Sequence, residues 1–312
     1  MTDIFLLTAG GKRLKLPPFT SWELKRTRNV PCDSFEGTCP WDSGLDDRLQ
    51  SACRLLVEED GARRFTGVVD ETDLTWDGKG GRLELSARGL AALLLDNESP
   101  AMDYQVATLP DILRDHVEPY GIQVVKTASL PAVPSFSVSA GSSRWQVLYQ
   151  FARYHGGVEP TFDELGRLTV APLPGRHWTI GGKTGVTAIT CRDKRYGVWS
   201  QVLVQNRKTQ TTQRLVNEAF AAQGLCCGRV LTVPGKSGYQ AMRWTGQYQL
   251  DRSAEERFRL ELTLSNAGPC QPGDTVTLSL EKPRLSGVYK VLETCTAQDS
   301  RGLRTRLTLG SA

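Results

Sequence analysis

The sequence predicts a mainly β protein with an α+β insert, in which two antiparallel β-rich domains flank a small α+β domain. Three observations lead there. Short segments of alternating or β-branched residues, separated by Gly, Pro, Asp or Asn turns, fill residues 1 to about 88 and return after residue 175. Apolar residues at helical spacing gather mostly in the stretch between. The chain, at 312 residues, also exceeds what one hydrophobic core usually serves. The expected units are 1–98, 99–174 and 175–312.

In the first unit, residues 3–7, 14–16, 20–26, 52–58, 64–76 and 81–87 read as strands of a sandwich or barrel. Apolar positions alternate in Arg82-Leu83-Glu84-Leu85-Ser86-Ala87, as a strand with one wet face requires. The stretch Asp77-Gly78-Lys79-Gly80-Gly81 before it supplies residues that tolerate positive φ, which predicts a hairpin loop. Residues 90–95 are helix-prone, and Asp96-Asn97-Glu98-Ser99-Pro100 stops them.

In the middle unit, Thr108 reads as an N-cap, with Pro110 in the first turn and Asp111 three positions on, opening a helix over 109–118. Gly121 resets the backbone. A strand at 122–126 and a Pro-broken connection at 130–134 lead to a second helix. Ser142 or Ser143 caps it, and Trp145, Leu148, Tyr149 and Ala152 line one side before Gly156-Gly157. Residues 159–163 and 168–171, joined by a turn at 164–167, predict a hairpin. Pro172, Pro174 and Gly175 mark the next boundary. Strands are expected beyond it at 188–193, 200–206, 229–233, 257–266, 275–280, 287–296 and 303–309, with one or two short helices inserted over 239–256.

Composition narrows the function classes. The chain is 39% hydrophobic and 23% charged, with 30 Gly and 16 Pro, an ordinary globular balance that excludes disorder, collagen and coiled coil as global descriptions. Net charge is +4, from 38 basic against 34 acidic residues, too near balance to name a nucleic-acid or membrane partner. The longest apolar runs, 4–8 and 90–95, fall far short of the roughly 20 residues a membrane helix needs. The first residues lack the basic region of a signal peptide, so synthesis in the cytoplasm is expected.

Residue types that carry chemistry are thin. The eight cysteines (32, 39, 53, 191, 226, 227, 270 and 295) form no Cys-x-x-Cys, and His116, His155 and His177 are far apart, so no zinc site is expected. Free thiols are the expectation, with a Cys32–Cys39 disulfide as the alternative after export or lysis. Motifs of hydrolase elbows, phosphate loops, zincins and dinucleotide folds are absent. His155 is the least poor candidate for a general base, and its place at a helix C-terminus explains it as well. The acidic groups Asp46-Asp47, Glu58-Glu59-Asp60 and Asp70-Glu71-Thr72-Asp73 read as solvated edges. The basic groups Lys12, Arg13, Lys15, Lys25, Arg26 and Arg28, then Arg192, Lys194 and Arg195, then Arg301, Arg304 and Arg306, read as defended edge strands or as the lining of a mildly positive channel. No catalytic, cofactor or metal residue is assigned, and no interface residue is named.

The order of three stretches carries a resemblance. The first is Phe65-Thr66-Gly67-Val68-Val69-Asp70 followed by Leu83-Glu84-Leu85-Ser86-Ala87-Arg88-Gly89-Leu90 and Leu93-Leu94-Leu95-Asp96. The second is Ser143-Arg144-Trp145 opening a helix, then Gly156-Gly157 and the hairpin from Asp163 to Val170. The third is Pro272-Gly273-Asp274, then Gly287-Val288-Tyr289, then the closing strand Leu303 to Leu309. Together they resemble phage tail baseplate hub proteins of the late-control-D and Mu-like type, of a phage or tail-like particle.

The resemblance implies that the two β-rich domains are barrels of the tail-tube kind. It implies a structural protein, not an enzyme, without cofactors. Such a protein forms a homotrimeric ring that adapts a hexameric tail tube to a trimeric central spike and lines the conduit for tape-measure protein or DNA, as in contractile injection systems. Its partners would be copies of itself, the tube, the spike and other baseplate proteins. It would assemble in the host bacterial cytoplasm and end in the virion or particle. The rival readings are a receptor- or carbohydrate-binding β module of a tail, resting on Trp41, Trp76, Trp178, Trp199 and Trp244, and a tail-associated cell-wall hydrolase using His155 or Asp163.

Overall fold

The computed structural model describes the chain apart from residues 1, 29–30, 42–46, 173, 183, 236, 256, 267, 282 and 312. Asp46 and the last residue of the insertion expected over 239–256 therefore lie outside the described residues. The fold is mainly β, with an α+β insert, as the sequence predicts.

The first region contains β1 (Thr2–Thr8), β2 (Arg13–Lys15), β3 (Ser21–Thr27), β4 (Ser34–Pro40), α1 (Asp47–Gln50), β5 (Ala52–Glu59), β6 (Ala62–Asp77) and β7 (Gly80–Gly89). Alternation drives it: Ile4 and Leu6 in β1, Trp22 and Leu24 in β3, and Leu83, Leu85 and Ala87 in β7 all turn into one core. Phe35 of β4 sits fully buried among Phe19, Trp22 and Phe65, with ring centroids 5.9, 6.4 and 6.3 Å away. The sequence reading passes over β4 because Gly37, Thr38 and Pro40 obscure the alternation. The structure gives the reason for the glycine: a Cβ on Gly37 would stand 2.6 Å from the Phe19 ring.

The middle region holds α2 (Ala92–Leu95), β8 (Glu98–Ser99), β9 (Met102–Ala107), α3 (Leu109–His116), β10 (Val124–Thr127), β11 (Val133–Val138), β12 (Ser142–Ser143), α4 (Arg144–Tyr149), β13 (Thr161–Phe162) and β14 (Leu168–Val170). Thr108 caps α3 through a capping box with Asp111, and Ser143 caps α4, as the sequence indicates. After α4 the helix widens to π geometry over Gln150–His155. The connection expected at 130–134 runs directly into β11, which pairs with β9. Ile112, Val117, Leu148 and Phe151 are fully buried in this region's own core.

The last region holds β15 (His177–Gly181), β16 (Val186–Asp193), β17 (Gln201–Asn206), β18 (Thr211–Val216), α5 (Glu218–Ala221), β19 (Gly228–Thr232), α6 (Tyr239–Glu255), β20 (Phe258–Leu264), β21 (Thr275–Leu280), β22 (Leu285–Asp299) and β23 (Gly302–Ser311). The helical insertion is a single helix of 17 residues. Its Met242 and Leu250 bury against Val202 and Val204 of the three-stranded sheet β18-β17-β19.

The sequence gives no hint of how the two β regions join. They share one sheet of 13 strands, along the path β16-β20-β23-β22-β3-β4-β7-β6-β5-β1-β2 with β21 and β15 branching from β22. Strand β22 is the seam. Residues 285–290 pair with β21, the register slips between Val291 and Glu293, and residues 293–298 pair with β3. A bulge kinks a strand and raises its twist, so β22 leaves the last region's core at Val291 and reaches the first region's strands from Glu293.

Candidate functional site

The three regions meet around a cavity of about 1170 Å³. β3 carries Arg26 to it, α4 and its π extension carry Tyr149 and Arg153, the 157–167 segment carries Glu159 and Glu164, and α6 carries Tyr248, Arg252 and Glu255. Gly157 allows this approach. Its φ is +68°, and a Cβ there would stand 3.1 Å from the Trp244 ring of α6.

Glu164 ties the regions together. Its Oε1 accepts a hydrogen bond from Arg26 Nη1 at 2.8 Å and another from Gln271 Nε2, while its carbonyl accepts from Thr66 Oγ1 at 3.1 Å. Arg26 also donates to the Arg64 carbonyl. Arg28 reaches Glu159 at 3.5 Å. Arg153 lies over the Tyr248 ring at 3.9 Å, and the Tyr149 hydroxyl donates to that of Tyr248 at 3.1 Å. Lys290 Nζ donates to Glu255 at 3.0 Å. Burial pushes the Asp33 carboxyl up to about 6, against the pull of Arg26. Burial and then the Tyr248 hydroxyl push the Tyr149 phenol up.

Eight Arg and Lys side chains and seven carboxylates line the cavity. That near balance gives no single-sign field to hold a polyanion. Arg26–Glu164 and Arg28–Glu159 pair across region boundaries, which is the chemistry of a joint.

The other titratable candidates sit elsewhere. His116 is fully buried in the middle region. Arg144 Nη1 lies 2.9 Å from its Nδ1 and can only donate, so the ring proton is on Nε2, facing the Tyr104 hydroxyl at 3.1 Å. Tyr104 donates onward to Asp115 at 2.9 Å. Burial first, and then Arg144, lowers His116 to about 4. His155 packs edge-on against Phe136, with centroids 5.9 Å apart, and burial lowers its pKa. His177 is exposed, 3.1 Å from Thr277 Oγ1. Sequence order therefore brings no histidine to a serine or cysteine nucleophile among the described residues. Asp163 holds Arg167 at 2.7 Å across the hairpin turn.

All eight cysteines are free. The alternative Cys32–Cys39 disulfide does not form: Cys32 precedes β4 beside the Gly89 carbonyl, Cys39 pairs opposite Leu83 near the strand's other end, and the five extended steps from Ser34 to Cys39 span about 17 Å. Burial pushes Cys32 up to about 12 and Cys39, Cys270 and Cys295 up to about 11. Among the described residues no group of His, Cys, Asp or Glu has metal-site geometry, and no helix is long and apolar enough to cross a membrane. The basic groups are largely paired: Arg13 with Glu58, Lys15 with Asp3, Lys25 with Glu293, and Arg301 and Arg304 with Asp299. The residues of the joint went unassigned in the sequence because each pair is separated by many positions; Arg26 and Glu164 are 138 apart.

Residues 91–172 match the family model described as baseplate hub protein gp44-like, second domain. The middle of the chain is similar to that hub domain. A search of curated protein sequences matches none of them. Among solved structures, the chain is similar to a tail protein from Neisseria meningitidis, at 19% identity and TM-score 0.78, covering 99% of this chain and 96% of that one. It is similar to the 43 kDa tail protein of prophage MuSo2 from Shewanella oneidensis, at 16% identity and TM-score 0.78, covering 99% and 98%. It is also similar to the Escherichia coli c3393 protein, a component of the type VI secretion system, at 12% identity and TM-score 0.58, covering 95% and 74%. The hub-like stretch thus lies within a chain whose fold is similar, over 99% of its length, to that of two tail proteins.

Proposed function

We propose that the chain is the baseplate hub of a phage tail or tail-like injection particle, a homotrimeric ring that adapts a hexameric tail tube to a trimeric spike and lines the conduit. The observation that carries this reading is the β22–β3 seam, which fuses the two β regions into one arc of sheet. Three such arcs around an axis present six β units to a six-fold partner while keeping three-fold symmetry for a spike. The gp44-like hub domain and the tail-protein fold over 99% of the chain support it.

The separate cores support three units close to 1–98, 99–174 and 175–312, with Leu93 and Leu94 of α2 packing into the middle core and α6 forming a fourth core on β17. The proposed partners are the tube, the spike and neighbouring baseplate proteins, with tape-measure protein or DNA passing through the lumen. Assembly would occur in the host cytoplasm before incorporation into the particle. Light scattering of the purified chain, alone and mixed with the tube and spike proteins, is the test. A trimeric mass is expected, and a chain that stays monomeric in every mixture overturns the reading.

A further inference from the structure

Two charged groups that the joint does not absorb lie at free edges of the shared sheet. β6 pairs with β5 only over residues 62–68, then runs on to Asp77 with β7 as its ladder partner. Glu71, Asp73 and Asp77 fall at alternate positions of this overhang and are exposed. Asp73 stands directly opposite Glu84. Arg82 reaches Glu84 at 2.9 Å, but among the described residues no ion pair reaches Glu71 or Asp73.

At the far end of the sheet, β16 has β20 on one side and no strand on the other among the described residues. Six of its eight residues are exposed. Arg192 stands directly opposite Arg259, and among the described residues neither has an ion-pair partner. Asp193 is taken by Arg195 and Arg257, each at 3.2 Å, and Glu261 lies on the Arg259 face two residues on.

Like charges directly opposite across a ladder destabilise it, so each end is built at a cost that an opposite charge would relieve. One end carries an opposed acidic pair, the other an opposed basic pair, and each presents backbone groups that another strand could pair with. We propose that the acidic β6 overhang of one copy docks along the basic β16 edge of a second copy of this chain, Glu71 and Asp73 answering Arg192 and Arg259. The two surfaces differ, so the contact is heterologous and closes into a ring when the rotation allows. This rests on the ring-forming reading above and adds which edges meet.

The test uses three full-length variants beside the wild type: Glu71→Arg with Asp73→Arg, Arg192→Glu with Arg259→Glu, and all four changes together. Circular dichroism checks that each folds, and sedimentation at low salt gives self-association. Each one-end reversal should weaken association at least about tenfold, and the fourfold variant should recover it. A wild type that stays monomeric with tube and spike proteins present removes the ring reading itself. An oligomeric wild type that neither reversal weakens overturns the edge pairing alone, as does a folded fourfold variant that fails to recover.

Discussion

His116 shows how much one buried side chain depends on its partners. Its Nδ1 must accept from Arg144, and its Nε2 proton faces Tyr104, so a second ring proton would confront a guanidinium in a water-poor site. Arg114, bonded to Asp115, and Asp115 itself complete the surroundings, and the Asp115 charge only partly offsets the other effects. An unfolded histidine binds its proton near 6.5, so between about 4 and 6.5 the unfolded chain holds more protons here and this group's contribution to stability rises with pH. Ring NMR should show His116 neutral at pH 5. His116→Gln should narrow the gap in melting temperature between pH 6.5 and pH 4.5. Asp33, raised to about 6, acts in the opposite sense, its contribution falling as pH rises from about 4 to 6, so the comparison with the variant is the informative one.

The cysteines divide by the same physics. The thiolate is the reactive species. Cys39, Cys270 and Cys295 are buried and raised, so at pH 8 they should react with an aromatic disulfide reagent only as the chain opens, while the exposed Cys191 and Cys226 of the unassembled chain react at once. Cysteine spacing in the sequence offers no zinc motif, yet it does not reveal that Cys32 and Cys39 lie toward opposite ends of the β4–β7 ladder.

At the scale of elements, legibility followed burial pattern. β7 and α3 were readable because their alternation and capping signals are local: Leu83, Leu85 and Ala87 in one, Thr108 and Asp111 in the other. β4 was not, since Gly37 is there to admit a ring from a distant residue. Phe35 nonetheless anchors that strand, and Phe35→Ala should cost about 4 kcal/mol in chemical denaturation, the magnitude for emptying a packed aromatic site. Arg26 tests the joint. Its side chain is 10% exposed and its partner Glu164 29%. Arg26→Ala should therefore destabilise by on the order of 2 kcal/mol, below the ~3–5 of a fully buried pair, because water reaches the carboxylate left behind.

At the scale of the molecule, β22 couples what the sequence separates into two units. A continuous ladder transmits unfolding, so amides of β7 and β23 should exchange with solvent at the same opening free energy in native-state hydrogen exchange. Two distinct free energies would show that the seam is weaker than either core.

The sequence alone determined the mainly β class, the α+β insert, the caps of α3 and α4, the lack of catalytic motifs and the order of parts that resembles a baseplate hub. These are local or compositional properties, set by residues within a few positions of one another. Only the tertiary structure decided that β22 bends at Val291 to join two β regions, that Glu164 gathers Arg26 and Gln271, and that opposite charges stand at opposite ends of one sheet. Pairings between residues a hundred or more positions apart depend on how cores pack and strands register, and no short window of sequence encodes that.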